Sequence, residues 1–302
     1  MRSTIARLVA NEDVNFLLTN RLPRRLATDL VGWFSKIENP LIARSSIALW
    51  KLFSDVDLAD AAETRFPSMH ACFIRRLKPG ARPVAKGADV IASPCDAIVG
   101  AHGTIEGDTI HQIKDAPYRL SELLGETNAS SAYEGGTYVT LRLTAGMYHH
   151  FHAPHDLTVD QVTYISGDCW NVNPIALKRI ERLFCKNERA AIRCRLDDGT
   201  PVMLVAVAAV LVASIRLSFL DTARSLRIGG PRTIPLHAKV GKGEEMGYFE
   251  HGSTIVMLLP KGFRFAGGIE SGARICAGQA LFLRRDDREA HEPMKWRPAP
   301  AG

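Results

Sequence analysis

The tripeptide Gly252-Ser253-Thr254 is the segment whose residue types point most directly to chemistry, and it opens the apolar run 255–259. Glycine leaves its peptide sterically open, so the serine hydroxyl could attack the carbonyl of Gly252. Such a serine would cut its own chain rather than a substrate. For the tripeptide alone, a turn leading into a strand is the better interpretation, because turn residues often precede β-branched runs.

Two distant segments carry side chains that could activate this serine. Ser93-Pro94-Cys95-Asp96 supplies a carboxylate, and Tyr148-His149-His150-Phe151-His152-Ala153-Pro154 supplies imidazoles. Serine is a poor nucleophile at its ordinary pKa, so it needs a base, which is commonly an imidazole oriented by a carboxylate. A single histidine or aspartate is more often structural than catalytic. The three segments together favour a catalytic interpretation.

These segments belong to a longer series of motifs that resembles the bacterial, pyruvoyl-dependent phosphatidylserine decarboxylases. The series runs in matching order from about residue 20 to residue 265 and so covers most of the chain. Coincidence of single motifs does not explain such a series. The further matching segments are Phe73-Ile74-Arg75, Arg82-Pro83, Gly167-Asp168, Val172-Asn173, Asn187-Glu188-Arg189 and Glu245-Met246-Gly247.

The chain departs from the family pattern at two positions. Family members usually carry an aliphatic residue where His251 stands, and a glycine where Ala97 follows the aspartate. Neither change removes a reacting group. His251 adds an imidazole beside the expected cleavage point, where it could alter the rate or the pH dependence of cleavage.

The resemblance implies a self-processing enzyme that makes its own cofactor, pyruvate held as a pyruvoyl group. The hydroxyl of Ser253 attacks the carbonyl of Gly252 to form an ester, and elimination releases the upstream chain as a carboxylate. The dehydroalanine left at position 253 tautomerises to an imine, and water replaces its nitrogen as ammonia to give the pyruvoyl group. Its ketone condenses with the amine of phosphatidylserine and accepts the electrons left when carbon dioxide departs. The product is phosphatidylethanolamine.

The resemblance also implies roles for individual residues. Asp96, His152 and Ser253 form the charge relay for self-cleavage, in which His152 is the base. His149 matches the family's other histidine and serves substrate handling or decarboxylation. His150 and His155 match no family role, and we expect them to be solvated in a loop. The spacing leaves the geometry open, because residues 149 and 152 project to opposite faces of a strand but can share a face in a turn or helix.

Two alternative functions fit parts of the sequence. The cluster His149, His150, His152 and His155 could hold zinc in a hydrolase, but its spacing is not H-E-x-x-H and no cysteine pair lies nearby, so we expect no metal. A non-catalytic, membrane-associated barrel protein is the other alternative, and the retention of Asp96, His152 and Ser253 argues against it. On a denaturing gel the decarboxylase runs as two fragments, whereas the alternatives run as one.

Length and composition indicate a globular protein of one large or two ordinary domains. Of its 302 residues 46% are hydrophobic and 23% charged, enough to bury a substantial core. The formal charge of +6 is spread along the chain, which argues against nucleic acid as a partner. The longest apolar run, 202–215, has 14 residues, fewer than the roughly 20 of a membrane-spanning helix. Its valine content suits one or two buried strands.

Residues 20–54 have the pattern of two amphipathic helices. The first has Pro23 in its first turn and an apolar face formed by Leu26, Leu30, Trp33 and Phe34. The second begins at Asn39-Pro40 and places Ile42, Leu49, Trp50 and Phe53 together. The basic residues of this segment are Arg21, Arg24, Arg25, Lys36, Arg44 and Lys51, against Asp29 and Glu38. Two interpretations stay open, packing on the protein's own core and attachment to anionic lipid.

From about residue 84 the pattern changes to short β-branched runs separated by turn residues. The runs 90–91, 97–99, 137–141, 157–165 and 202–215 indicate strands, and 117–124 a short helix. We expect an α+β, β-rich fold, with amphipathic N-terminal helices followed by a barrel-like, mostly antiparallel β catalytic domain. The predicted regions are 1–83 for membrane association, 84–283 for decarboxylation and 284–302 for a disordered tail.

The resemblance further implies where and with what the protein works. Phosphatidylserine is its substrate, and the anionic cytoplasmic face of the cell membrane is the surface to which it attaches peripherally. The two cleaved fragments stay associated, as a dimer of heterodimers.

Overall fold

The computed structural model describes residues 24–112, 116–126, 130–168, 170–209, 215–221, 232–250 and 253–285. Pro23, His251, Gly252 and all of the predicted tail except 284 and 285 lie outside them. The helices are α1 (Arg24–Ser35), α2 (Pro40–Phe53), α3 (Met69–Phe73), α4 (Leu120–Leu124), α5 (Pro174–Arg179) and α6 (Leu183–Lys186). The strands are β1 (Val90–Ala92), β2 (Ala97–Thr104), β3 (Thr109–His111), β4 (Pro117–Arg119), β5 (Thr137–Leu143), β6 (His150–His152), β7 (Leu157–Ile165), β8 (Arg189–Leu196), β9 (Pro201–Ala208), β10 (Ile215–Leu217), β11 (Arg232–Val240), β12 (Glu245–Phe249), β13 (Ser253–Leu259), β14 (Phe263–Phe265), β15 (Arg274–Ile275) and β16 (Ala280–Arg284).

An eight-stranded antiparallel sheet dominates the fold, in the order β11-β7-β8-β9-β13-β5-β2-β15. Two three-stranded sheets, β1-β16-β14 and β10-β12-β6, and the hairpin β3-β4 accompany it. The predicted β-rich α+β class is confirmed. The large sheet is open, since β11 and β15 are not paired with each other in the described part of the chain.

Both faces of the large sheet are buried, which explains why its central strands are apolar along their whole length. On β13, Ile255 and Met257 join one core, and Val256 and Leu258 join the other. By the same alternation Ser253 faces the first core and Thr254 the second. The strand sits between β9 and β5, so Ser253 begins a central strand.

The small sheet β10-β12-β6 contributes to the first core, the one that Ser253 faces. Phe151 of β6 and Phe249 of β12 are fully buried in it, with ring centroids 5.4 Å apart. Gly247 of β12 has no room for a side chain, because an added Cβ would collide with the carbonyl of Arg216 and the ring of Phe151. The glycine therefore allows β6 and β12 to pack closely.

The N-terminal helices attach to this body through a small cluster of their own. Trp50 of α2 stacks on Phe73 of α3, with ring centroids 5.6 Å apart. Arg75 donates from Nη2 to the carbonyl of Gly146, 2.9 Å away, and thereby ties the segment after α3 to the connection between β5 and β6. The predicted start of α2 is confirmed, because the side chain of Asn39 accepts hydrogen bonds from the amides of Leu41 and Ile42.

Other sequence expectations are met only in part. The segment 117–124 forms strand β4 before helix α4, so the predicted helix begins three residues later, at Leu120. The run 202–215 includes nearly all of β9 and the first residue of β10. Among the described residues, no helix combines the length and hydrophobicity required to cross a bilayer.

Candidate active site

Ser253 is the first residue of β13 and is completely buried. Its Cα is paired with Leu143 of β5 and Ala208 of β9. The hydroxyl Oγ has no hydrogen-bond partner among the described residues. A buried hydroxyl usually has a partner, because an unmet hydrogen bond costs about 1 to 3 kcal/mol. Ser253 is thus an exception at the position where the sequence predicts a reactive serine.

The side chain of Asp96 accepts three hydrogen bonds. Arg82 donates from Nε to Oδ1 at 2.8 Å and from Nη2 to Oδ2 at 2.6 Å, which is a two-point contact. The amide of Ala277 donates to Oδ1 at 2.9 Å. The carboxylate raises the pKa of Arg82 above its usual range, chiefly through this hydrogen bonding. Charge-assisted bonds of this geometry fix the Asp96 side chain firmly in place.

His152 lies on β6 with both ring nitrogens in contact with other groups. Nδ1 donates to the carbonyl of Gly243 at 3.0 Å, so Nε2 is the acceptor of the Tyr148 hydroxyl at 3.1 Å. Burial lowers the pKa of His152, and the nearby His150 adds to this effect. Burial also raises the pKa of Tyr148, which remains a donor. His152 is therefore held neutral, the form required of a base.

The predicted segments around Asp96 and His152 are adjacent in the structure. The amide of His152 donates to the carbonyl of Pro94 at 2.7 Å, two residues before Asp96. No hydrogen bond joins Asp96 to His152, or His152 to Ser253, among the described residues. The carboxylate acts on the imidazole through space, where its charge tends to raise the pKa of His152.

His149 occupies a different environment from His152. It is fully buried, and its ring lies 4.0 Å from the ring of Phe73, measured between centroids. Its carbonyl accepts from the amide of Phe249, at the end of β12 from which the chain continues to Ser253. His152 is paired with Glu245 at the opposite end of β12. The two histidines thus lie at opposite ends of one strand pair.

His150 is buried on β6, so the expectation that it is solvated in a loop is wrong. Nδ1 lies 2.9 Å from Oε2 of Glu245, and Nε2 lies 2.9 Å from the carbonyl of Ile74. The ring is stacked between Tyr148 and Tyr248, at centroid distances of 4.9 and 5.0 Å. The hydrogen bond with His150 is the main reason that the pKa of Glu245 is lowered.

The sequence predicts no role for Arg82, Tyr148 or Glu245, although all three occur in the matching motifs. Arg82 could have been found, because a buried aspartate requires a cation or several donors nearby. The role of Tyr148 depends on its contact with Nε2 of His152, which periodicity does not reveal. Glu245 meets His150 across 95 positions of sequence.

The histidine cluster does not form a metal site in the part of the chain that the structure describes. No group of three or more His, Cys, Asp or Glu side chains there could hold an ion. Nε2 of His155 lies 3.0 Å from the carbonyl of Ala88, and Nδ1 lies 3.2 Å from that of Asp156. The imidazoles of His150, His152 and His155 are engaged with protein oxygens, so the zinc hydrolase has no structural support.

Comparison with known proteins points to one family. The family model described as "Phosphatidylserine decarboxylase" matches residues 69–283. A phosphatidylserine decarboxylase proenzyme of Saccharophagus degradans is 34% identical over 83% of this chain and 90% of its own length. A proenzyme of the same name from Shewanella baltica is 32% identical over 92% of this chain and 99% of its own length. One from Brevibacillus brevis is 32% identical, over 89% of this chain and 97% of its own length.

Proposed function

The chain belongs to the phosphatidylserine decarboxylase family, whose members are self-processing carboxy-lyases, and from this premise we propose that it cuts itself between Gly252 and Ser253. The observation that carries the proposal is the Ser253 hydroxyl, fully buried at the start of a central strand and without a hydrogen-bond partner among the described residues. A hydroxyl without a partner keeps its lone pairs available for attack on the preceding carbonyl. Position 253 also suits the covalent pyruvoyl group, because the fixed strand holds it in one place.

The pyruvoyl group supplies an electrophilic carbonyl that accepts electrons when the substrate loses carbon dioxide. The chain's own residues must then bind the lipid headgroup, exclude water and provide a proton to the substrate carbon. The buried surroundings of Ser253 are suited to excluding water. Turnover leaves phosphatidylethanolamine as product.

His152 is the base for self-cleavage in this proposal. It is held neutral by burial, and Nε2 is its available acceptor. Since Tyr148 donates to that nitrogen, His152 acts on Ser253 either after the tyrosine hydroxyl swings away or through that hydroxyl as a proton relay. Asp96, fixed by Arg82, stabilises the imidazolium that forms, and it does so through space rather than by direct contact.

The experiment that tests this function is intact mass measurement under denaturing conditions. The wild-type chain should give a fragment of residues 1–252 and a second fragment that begins with a pyruvoyl group at position 253. Ser253→Ala should stay intact, and Asp96→Asn and His152→Ala should be folded but mostly uncleaved. Folded wild-type protein that remains one chain after long incubation would refute the proposal, and cleavage of both Asp96 and His152 variants at the wild-type rate would refute the assignment of these residues.

His149 serves turnover rather than cleavage in this proposal. Its fully buried ring lies against Phe73 and its backbone is joined to the end of β12 nearest to Ser253. A proton must reach the substrate carbon after carbon dioxide leaves, and an imidazole near position 253 can deliver it. The separate surroundings of His149 and His152 support separate tasks for them.

Attachment to the cytoplasmic face of the membrane is the second part of the proposal, with residues 1–83 as the attaching region and 84–283 as the catalytic one. Apolar side chains of α1 and α2 face solvent, with exposed fractions of 68% for Trp33 and 75% for Leu41. Beside Leu41 and the similarly exposed Leu52, α2 carries the exposed cations Arg44 and Lys51. Apolar and basic stripes side by side suit a helix lying on anionic lipid.

A cleft of about 520 Å3 beside α2 supports the assignment of this surface to lipid binding. Its lining includes three cations, Arg44, Lys51 and Arg65, over an apolar floor that contains Ile47 and Phe66. Association of the two fragments as a dimer of heterodimers is proposed from the family resemblance alone.

A further inference from the structure

Arg142 of β5 differs from the other arginines of the protein interior. Arg189 donates to four backbone carbonyls and Arg75 to three. Arg82 is bound to Asp96. Arg142 is half-buried, and none of its side-chain nitrogens makes a hydrogen bond or an ion pair within the described part of the chain. A partly buried guanidinium loses some of its hydration, and without a partner nothing offsets that cost in free energy.

Arg142 lines a cleft of about 410 Å3 on the face of the large sheet away from the Ser253 side chain. The polar residues that share this lining are His102, His111, Gln112, Tyr138 and Ser271. The described lining contains no aspartate or glutamate. Burial lowers the pKa of Arg142, as expected for a cation that has lost water and gained no anion.

The neighbouring polar groups are largely committed to one another. Gln112 and Thr140 are joined by hydrogen bonds between their side chains. Tyr138 donates its hydroxyl to the carbonyl of His111, and Ser271 donates to that of Gly100. The guanidinium of Arg142, by contrast, has free donor capacity in this cleft. Its planar fork of N–H groups matches two oxygens of a phosphate or carboxylate.

The position of Arg142 in the sheet relates the cleft to the cleavage site. Its Cα is paired with Thr254 on one side and with Ile98 on the other. Paired Cα atoms in an antiparallel sheet are about 4.5 to 5.5 Å apart. The backbone of Arg142 thus stands one residue from the chain end that cleavage before Ser253 creates, while its side chain lies on the opposite face of the sheet from that of Ser253. In phosphatidylserine the phosphate is only a few bonds from the amine that reacts at that end.

We propose that the cleft around Arg142 binds a phosphate group, with the guanidinium as its principal ligand. Two sources of this phosphate are distinguished by experiment. One is the phosphodiester of the lipid headgroup, which rests on the proposed function, and the other is free inorganic phosphate, which does not depend on it. In both cases the anion compensates the charge of Arg142. Arg142 binds the anion without taking part in proton transfer.

Calorimetric titration with inorganic phosphate tests the binding site directly, at constant ionic strength maintained with chloride. The variants are Arg142→Gln, Arg142→Lys, and the control Arg119→Gln, which removes an exposed arginine of β4. Wild type and control should bind phosphate alike. Arg142→Gln should lose about tenfold in affinity, the scale of one charge-assisted contact, and Arg142→Lys should retain part of it. Absence of phosphate binding to wild type, or undiminished binding to Arg142→Gln, counts against free phosphate as ligand.

Decarboxylation kinetics with a dispersed short-chain phosphatidylserine tests the lipid headgroup as the source of the phosphate. A KM raised about tenfold in Arg142→Gln with nearly unchanged kcat identifies the headgroup phosphate as ligand. An unchanged KM together with lost phosphate binding identifies free phosphate. If neither KM nor phosphate binding changes in Arg142→Gln, the proposal is overturned. Failure of the wild type to decarboxylate would contradict the proposed function and leave the calorimetric result standing.

Discussion

The carboxylate of Glu245 lies 2.9 Å from Nδ1 of His150, and the opposite ring nitrogen of His150 lies 2.9 Å from the carbonyl of Ile74. Both partners offer acceptor oxygens, one to each ring nitrogen of the same imidazole. The contact links β6 and β12 to the segment that follows α3. Both residues also act on His152, whose pKa is lowered chiefly by burial, lowered further by His150 and raised by Glu245.

Glu245→Gln should make the free energy of unfolding less dependent on pH in the acid range. The folded-state pKa of Glu245 is lowered, so its stabilisation is complete above the ordinary carboxylate pKa and is lost as the pH falls through the folded-state value. At neutral pH we expect a loss of about 1 kcal/mol, allowing for solvent screening of this partly exposed group. Urea unfolding at a series of pH values, on the uncleaved Ser253→Ala background, measures this free energy. Stability curves that stay parallel down to acid pH, or an equal effect in the exposed control Glu270→Gln, would contradict the prediction.

Arg82→Gln should slow self-cleavage by about 10 to 100-fold, since Asp96 loses two of its three hydrogen bonds and its fixed orientation. Arg82→Lys keeps the charge and should be affected less. The matched control is Arg195→Gln, which breaks a two-point contact with Asp160 on the surface. The cleaved fraction against time on a denaturing gel gives the rates. Equal rates in Arg82→Gln and Arg195→Gln would show that Arg82 does not support cleavage.

The pH dependence of cleavage should report the environment of His152. A base must be neutral, and the lowered pKa of His152 keeps it neutral below the ordinary histidine value, so the acid limb of the cleavage rate should lie below about pH 6.5. Tyr148→Phe removes a donor to the neutral form and should move this limb to higher pH. Cleavage rates of both proteins measured from pH 5 to pH 8 locate the acid limb. An acid limb that does not move in Tyr148→Phe would exclude this hydrogen bond as a determinant.

His149→Ala should cleave normally and acquire the pyruvoyl group, but convert phosphatidylserine about 10² to 10⁴-fold more slowly, the usual cost of removing a positioned acid. Cleaved fraction and decarboxylation rate are measured on the same preparation. Phe73→Leu, which removes the ring that packs against His149, is the variant for comparison and should cost less. Blocked cleavage in His149→Ala would assign this residue to maturation, and full activity would remove it from the mechanism.

Vesicle sedimentation should show binding that grows with the fraction of anionic lipid and weakens in salt. Arg44→Gln with Lys51→Gln should reduce the dependence on anionic lipid, and Trp33→Ser with Leu41→Ser should weaken binding to all vesicles. Arg195→Gln with Arg274→Gln, two exposed cations of the β-rich body, is the control pair. Undiminished binding in both helix variants would place the attachment elsewhere.

Local signals in the sequence predicted the elements well where one short segment determines them. Asn39 and Pro40 fix the start of α2 because the cap and the first turn are adjacent in sequence. The apolar run after Ser253 gives β13, since both of its faces are buried. Pro117–Arg119 became a strand because it pairs with β3, a contact that outweighs the helical pattern of the segment.

The site itself was predictable in its residue types and not in its contacts. His150 was assigned to solvent because its partners, Glu245 and Ile74, lie 95 and 76 positions away. The contact between Arg82 and Asp96 spans only 14 positions, yet it depends on a turn whose geometry the sequence does not state. Contacts of this kind arise from the packing of whole sheets.

The segment downstream of Ser253 takes part in two sheets at once, with β13 between β9 and β5, and β16 between β1 and β14. A cut before Ser253 therefore makes the protein resemble a split protein, whose two pieces recognise each other through backbone pairing. The uncut chain folds by an intramolecular route, but the mature pieces must meet by diffusion to refold, at a rate set by their concentration. The efficient, intramolecular route to the fold is therefore open only before the cut.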